Sequence, residues 1–155
     1  MSQLSSTTLQ HAGFGQSNAN QVLAPALADW VAALGRVGLA ALFLWAGYGK
    51  LVHMDGNIGY MKAFGVPAPE LLIWPALFAE LIGGVMLLVG LKARWAAVAL
   101  IAFTLPATFI FHAYWAVPAD QVMNAQIHFM KNLAILGGLL TVVAHGAGRV
   151  ALDRA

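Results

Sequence analysis

The chain contains no cysteine. That absence excludes disulfides, thiolate metal sites, thiol redox chemistry within the chain and lipoprotein-type acylation, and it leaves no thiol to report a compartment. Charge is nearly as scarce. Lys, Arg, Asp and Glu make up 9% of 155 residues, against roughly 25% in an average soluble domain. With 61% hydrophobic residues, a soluble fold of this length lacks the polar cover its surface would need. A membrane protein needs no such cover. The net charge of +2 is small and scattered, so it forms no basic footprint for nucleic acid. Basic residues are missing altogether before Arg36, where Ser, Thr, Gln and Asn dominate. A secretory signal needs a basic start and an apolar core. Residues 1–27 therefore read as a disordered polar cytoplasmic tail, and 28–155 as a single membrane domain.

What is abundant is apolar sequence, in four runs at 30–49, 71–91, 95–117 and 126–145. Each is long enough to cross a ~30 Å hydrocarbon core at about 1.5 Å per residue. Lys92-Ala93-Arg94 is too short to do more than join the second and third runs as a hairpin. Pro75 sits in a first turn, where a missing N–H costs little, whereas Pro106 falls in mid-span and predicts a kink. Between the first two runs, Ile58, Met61 and Phe64 recur at helical spacing among turn residues, which predicts a short amphipathic helix at the interface. The fold class is thus all-α: an integral membrane four-helix bundle with a short interfacial helix between spans 1 and 2. Lys92, Arg94, Arg149 and Arg154 flank one side and Lys50 and Lys62 the other. The positive-inside rule then places both termini in the cytoplasm and the chain, multi-pass, in a bacterial inner membrane.

Against that background the buried charges stand out. A cation at mid-span costs about 2.5–3.5 kcal/mol on insertion scales and tends to face protein or a water-filled cavity. In the run from Gln126 to Leu140, His128, Lys131 and Asn132 share one helical face. Counting depth from span ends brings Arg36 and Glu80 close enough to predict an ion pair between them. The same count brings Lys50, His112, His128, Lys131 and Asn132 together in the outer half. They would line a cavity opening outward, with Glu80 at its floor within reach of Lys131. Each residue also has a plain reading. Glu80 reads equally as one half of a helix-locking pair, Lys131 and Arg36 as snorkelling cations, and each histidine as a satisfied interface residue. His53 and His145 fall near span ends, and His11 in the tail. A bis-histidine haem on His112 and His128 has no further signature behind it. Metal ligation is disfavoured because Glu80 lies more than a turn deeper than either histidine.

Several short elements resemble one family. They are Arg36-Val37-Gly38, FLWAGYGKL at 43–51, Gly65-Val66-Pro67, Ala79-Glu80-Leu81-Ile82-Gly83-Gly84, Phe111-His112 with Trp115, and Phe129-Met130-Lys131-Asn132-Leu133 followed by Gly137-Gly138. Together they resemble the DoxX family of small four-span bacterial membrane proteins, over nearly the whole chain apart from the tail. The resemblance implies a membrane-embedded helical bundle and an association with redox chemistry, with quinone as acceptor in some members. It carries over no established catalytic residue, and makes Arg36, Lys50, Glu80, His112, Lys131 and Asn132 the positions to test. The expectation is a quinone-linked oxidoreductase component that binds a quinone-like or small anionic ligand in the outer-half pocket. Glu80, Lys131 and His112 would do the chemistry, and Arg36, Lys50, His128, Asn132 and Trp115 would hold the ligand, with Trp45 and Phe111 also over the ring. Quinone is the expected cofactor, the bilayer a certain partner, and a redox protein or a second copy of the chain a further one. Two other classes fit the same residues: a small-solute carrier or channel subunit, and a membrane scaffold for a soluble redox enzyme.

Overall fold

Five helices form among residues 24–153, the part of the chain that the computed structural model describes. They are α1 (Pro25–Val52), α2 (Met54–Ala63), α3 (Pro69–Val89), α4 (Ala93–Phe111) and α5 (Val122–His145). No strand occurs among the described residues. The expected tail lies outside them except for its last four positions, and α1 already starts at Pro25, whose fixed φ suits a first helical turn. Four of the helices are long and apolar enough to cross a membrane. Their outward faces carry Leu34, Trp45, Leu71, Phe78, Ile82 and Trp95, all more than half exposed in the isolated chain, as lipid-facing residues must be.

The bundle is held by close helix approaches at small residues. α1 packs along α3, α3 along α4, and α4 along α5, while α1 and α5 touch lightly. A Cβ on Gly47 would come within 2.7 Å of Leu81, and one on Gly84 within 2.9 Å of Leu44. A Cβ on Gly83 would come within 3.0 Å of Leu100. In lipid, where apolar burial drives little, backbone approach of this kind supplies the packing. These contacts also fix the register. α1 and α3 run antiparallel with Gly47 facing Glu80 and Leu81, so each step toward the start of α1 is a step toward the end of α3. Arg36 therefore comes level with the α3–α4 turn, and Lys50 comes within a turn of Glu80.

That register overturns the expected Arg36–Glu80 pair. The Arg36 guanidinium donates to the carbonyls of Ala147, at 2.6 Å, and Val150, at 2.8 Å. The segment after α5 makes this possible by folding back. Gly146 (φ +80°) and Gly148 (φ +74°) turn the chain, and Leu152 and Asp153 donate backbone N–H groups to the carbonyls of Val89 and Gly90. The Asp153 carboxylate accepts from the Lys92 backbone N–H. Arg36 thus ties the end of the chain to the α3–α4 hairpin. Depth counted from span ends missed this because the guanidinium meets backbone carbonyls, which no charge pattern announces.

The third span also ends early, at Phe111 rather than residue 117. Beyond it Tyr114 and Trp115 turn back onto the bundle, their rings 5.5 Å edge-on from Phe129. Aromatic packing there replaces another turn and a half of helix. Helix α2 forms in the expected place, between the first two spans. Tyr60 and Phe64 each pack 5.4 Å from the Phe111 ring, which pins α2 across the end of α4.

Candidate functional site

A cavity of about 1000 Å³ lies under α2 and reaches into the bundle between all four spans. Tyr60 and Met61 of α2, Trp45 of α1, Ile73 of α3, and Phe103 and Phe111 of α4 give it mostly apolar walls. Near its deep end Glu80 meets Lys50, Nζ to Oε1 at 2.8 Å, with the side chains 5% and 20% exposed. The ammonium also lies 5.9 Å from the centre of the Phe103 ring. Burying either charge alone would be costly, and pairing removes much of that cost. Two polar atoms at this level have no protein partner: Glu80 Oε2 and Thr104 Oγ1. The close contact of Gly83 with Leu100 sets α3 against α4 so that Thr104 and Glu80 share one depth.

Nearer the mouth, α4 and α5 face each other through polar side chains. Asn132 Nδ2 donates to Thr108 Oγ1 at 3.0 Å, and Thr108 Oγ1 donates to the Thr104 carbonyl at 2.7 Å. One turn further out the His112 and His128 rings stack, with centroids 5.1 Å apart and planes 19° from parallel. Lys131 Nζ lies 3.1 Å from His128 Nδ1. His112 follows the last residue of α4, outside the span. Burial first, and the neighbouring His128 and Lys131 next, hold its imidazole below the ordinary histidine value. Burial raises the Tyr60 phenol on α2, so it stays protonated and able to donate. From the α3–α4–α5 register, His112 stands roughly 13 Å above Glu80, about nine residues of helical rise.

The site residues expected from sequence therefore divide. Lys50, Glu80, His112, Lys131 and Asn132 line one cavity, as do Trp45 and Phe111. His128 backs the mouth through its stack on His112 but does not line the cavity. Arg36 is on another part of the molecule, bound to Ala147 and Val150. Trp115 packs with Phe109, Tyr114 and Phe129 instead of facing the cavity. Glu80 has Lys50 as its partner, and Lys131 turns toward His128 instead. Thr104, Thr108 and Tyr60 were missed. The two threonines carried a signal: hydroxyls four apart in an otherwise apolar run lie on one helical face. Among the described residues no group of three or more His, Asp or Glu side chains is placed to hold a metal, and the stacked rings at the mouth are not arranged around a common point.

The DoxX family model matches residues 31–113, a stretch that carries most of α1, all of α2 through α4, and Lys50, Glu80 and His112. The chain belongs to the DoxX family. Among curated relatives, the inner membrane protein YphA of Escherichia coli is 32% identical over 121 residues, covering 78% of this chain and 86% of that protein. The inner membrane protein YqjF of the same organism is 36% identical over 121 residues, covering 78% and 88%. A Surfeit locus protein 4 homolog of Schizosaccharomyces pombe shares 33% identity over 70 residues, only 23% of its own length. No solved structure matches the chain. As a DoxX protein the chain lives in a lipid bilayer, with four membrane-spanning helices around the cavity under α2.

Proposed function

We propose that this DoxX protein is the ligand-binding component of a quinone-linked oxidoreductase in a bacterial inner membrane, and that the cavity under α2 holds the ring. One observation carries this reading: a carboxylate–ammonium pair, 95% buried on the carboxylate side, set in the wall of a cavity of about 1000 Å³. A pair that only locked two helices would be covered by side chains. Here Glu80, Lys50 and the Phe103 ring lie along a space large enough for a substituted ring. Tyr60, Phe103 and Phe111 offer aromatic faces to it. Lys131, Asn132 and His112 supply donors toward the mouth, suited to a ring carbonyl or a small anion. Glu80, partly neutralised by Lys50, is the group placed to take up or return a proton as the ring changes redox state. The electrons would pass to or from a partner protein. Arg36 has no part in this chemistry, because it is committed to the carbonyls of Ala147 and Val150.

The test is purification in native-lipid discs, extraction of bound quinone, and quinone-dependent turnover with the co-purified partner. Bound quinone is expected, and Glu80→Gln should lower turnover about 100-fold, the scale of a lost proton-transfer group. A preparation free of quinone that fails to bind added quinone would sink the reading.

A further inference from the structure

Glu80 Oε2 and Thr104 Oγ1 are buried, lack protein partners, and belong to residues that line the same cavity at the same depth. Glu80 is 4% exposed and Thr104 5%. A threonine in an apolar helix commonly donates to the carbonyl one turn back, and Thr108 does so onto Thr104. Thr104 itself does not, so its hydroxyl remains available to the cavity. Leaving such groups unmet is costly, so a ligand that satisfies both is favoured.

From these two atoms, and resting on the reading of the cavity as a ligand site, we infer that the ligand presents a neutral hydroxyl to the deep end. The chemical class is a phenol, hydroquinone or apolar alcohol on an otherwise hydrophobic body. An ionised carboxylate is an acceptor only, whereas a threonine hydroxyl both donates and accepts. A ligand hydroxyl fits both at once, donating its proton to Glu80 Oε2 and accepting from Thr104 Oγ1. A carbonyl accepts only and leaves Glu80 unmet. An anion is repelled by Glu80. An ammonium adds a second cation where Lys50 already balances the carboxylate at 2.8 Å. Glu80 is then the specificity-determining residue that tells a hydroxyl from its carbonyl or ether counterpart, since Thr104 can donate to all three, while the aromatic walls hold the body without distinguishing them.

The test uses 4-hexylphenol and 4-hexylanisole, which differ at O–H against O–CH₃. Binding to the full chain in lipid discs is measured by equilibrium dialysis, with protein-free discs subtracting partition into lipid. The phenol should bind about tenfold more tightly, the scale of one buried acceptor, Glu80 Oε2, left without its donor. Thr104→Val keeps the shape and the Lys50–Glu80 pair, and should weaken both probes about alike, whereas Glu80→Gln, whose amide turns an N–H toward the ligand while its oxygen stays with Lys50, should cut the preference to about threefold or less. Equal binding of the two probes to the wild-type chain overturns the hydroxyl assignment and leaves the cavity reading standing. An undiminished preference in Glu80→Gln, or a Thr104→Val that weakens neither probe, does the same to the role of that residue. Binding of neither probe overturns the assignment together with the reading on which it rests.

Discussion

Lys50 and Glu80 form the most demanding pair of residues in the chain, and each depends on the other. Removing the cation leaves a carboxylate buried to 95% with no counter-charge. Lys50→Met should therefore destabilise the protein by about 3 kcal/mol, the low end for a broken buried pair because Lys50 keeps some exposure. Replacing both, Lys50→Met with Glu80→Met, should recover most of that loss, since a buried pair exchanged for apolar groups of similar volume is often neutral. Thermal unfolding of the four proteins in one detergent measures the cycle. Additive losses, with the double change costing the sum of the two single ones, would show that the pair contributes nothing as a pair. Sequence pattern made Glu80 visible as an intramembrane charge and Lys50 as a rim cation, but not the two as partners. Lys50 closes the first apolar run and reads as a rim residue. It sits deeper because α1 stops at Val52, a level still inside the bundle, while α3 begins higher.

At the scale of elements, the α3–α4 turn and the segment after α5 behave as one unit with Arg36 as its clasp. Gly90 is the tightest point. Its φ is +72°, and a Cβ there would meet the Cβ of Ala151 and the Arg36 guanidinium, each at 2.5 Å. Gly90→Ala should cost more than the roughly 1–2 kcal/mol of a left-handed non-glycine residue, because the docked segment must also move away. Arg36→Met removes two charge-assisted bonds to carbonyls, worth about 1.5–3 kcal/mol each, and should release the same segment. Both variants should expose residues 147–153 to carboxypeptidase, and the double variant should be little worse than either single one. Additive losses would mean that glycine and arginine act on separate elements. Arg36→Lys should behave like Arg36→Met, because one ammonium does not span two carbonyls as a planar fork does. The four spans, the hairpin and the short helix before α3 were all legible in the sequence, because length, periodicity and turn residues are local signals. The docking of 147–153 was not, because it rests on backbone carbonyls and two left-handed glycines rather than on any hydrophobic or charge pattern.

For the whole molecule, the cavity opens at the α2 end and the basic residues gather at the other. Lys92, Arg94 and Arg149 flank the hairpin and the C-terminal segment, and at the α2 end Lys50 is turned inward onto Glu80 while Lys62 pairs with Glu70 at 2.5 Å. By the positive-inside rule we propose that the hairpin end lies in the cytoplasm and the cavity mouth faces the periplasm. The lack of cysteine makes this directly measurable, since any thiol placed in the chain is the only one. Asp120 and Leu152 are both exposed, one between α4 and α5 and one in the docked segment. In intact cells a membrane-impermeant maleimide should label Asp120→Cys at once. It should reach Leu152→Cys only after the membrane is permeabilised. The reverse pattern would turn the cavity toward the cytoplasm, and its ligand and redox partner would then be sought on that side. Labelling of both in intact cells would contradict four spans with termini on one face.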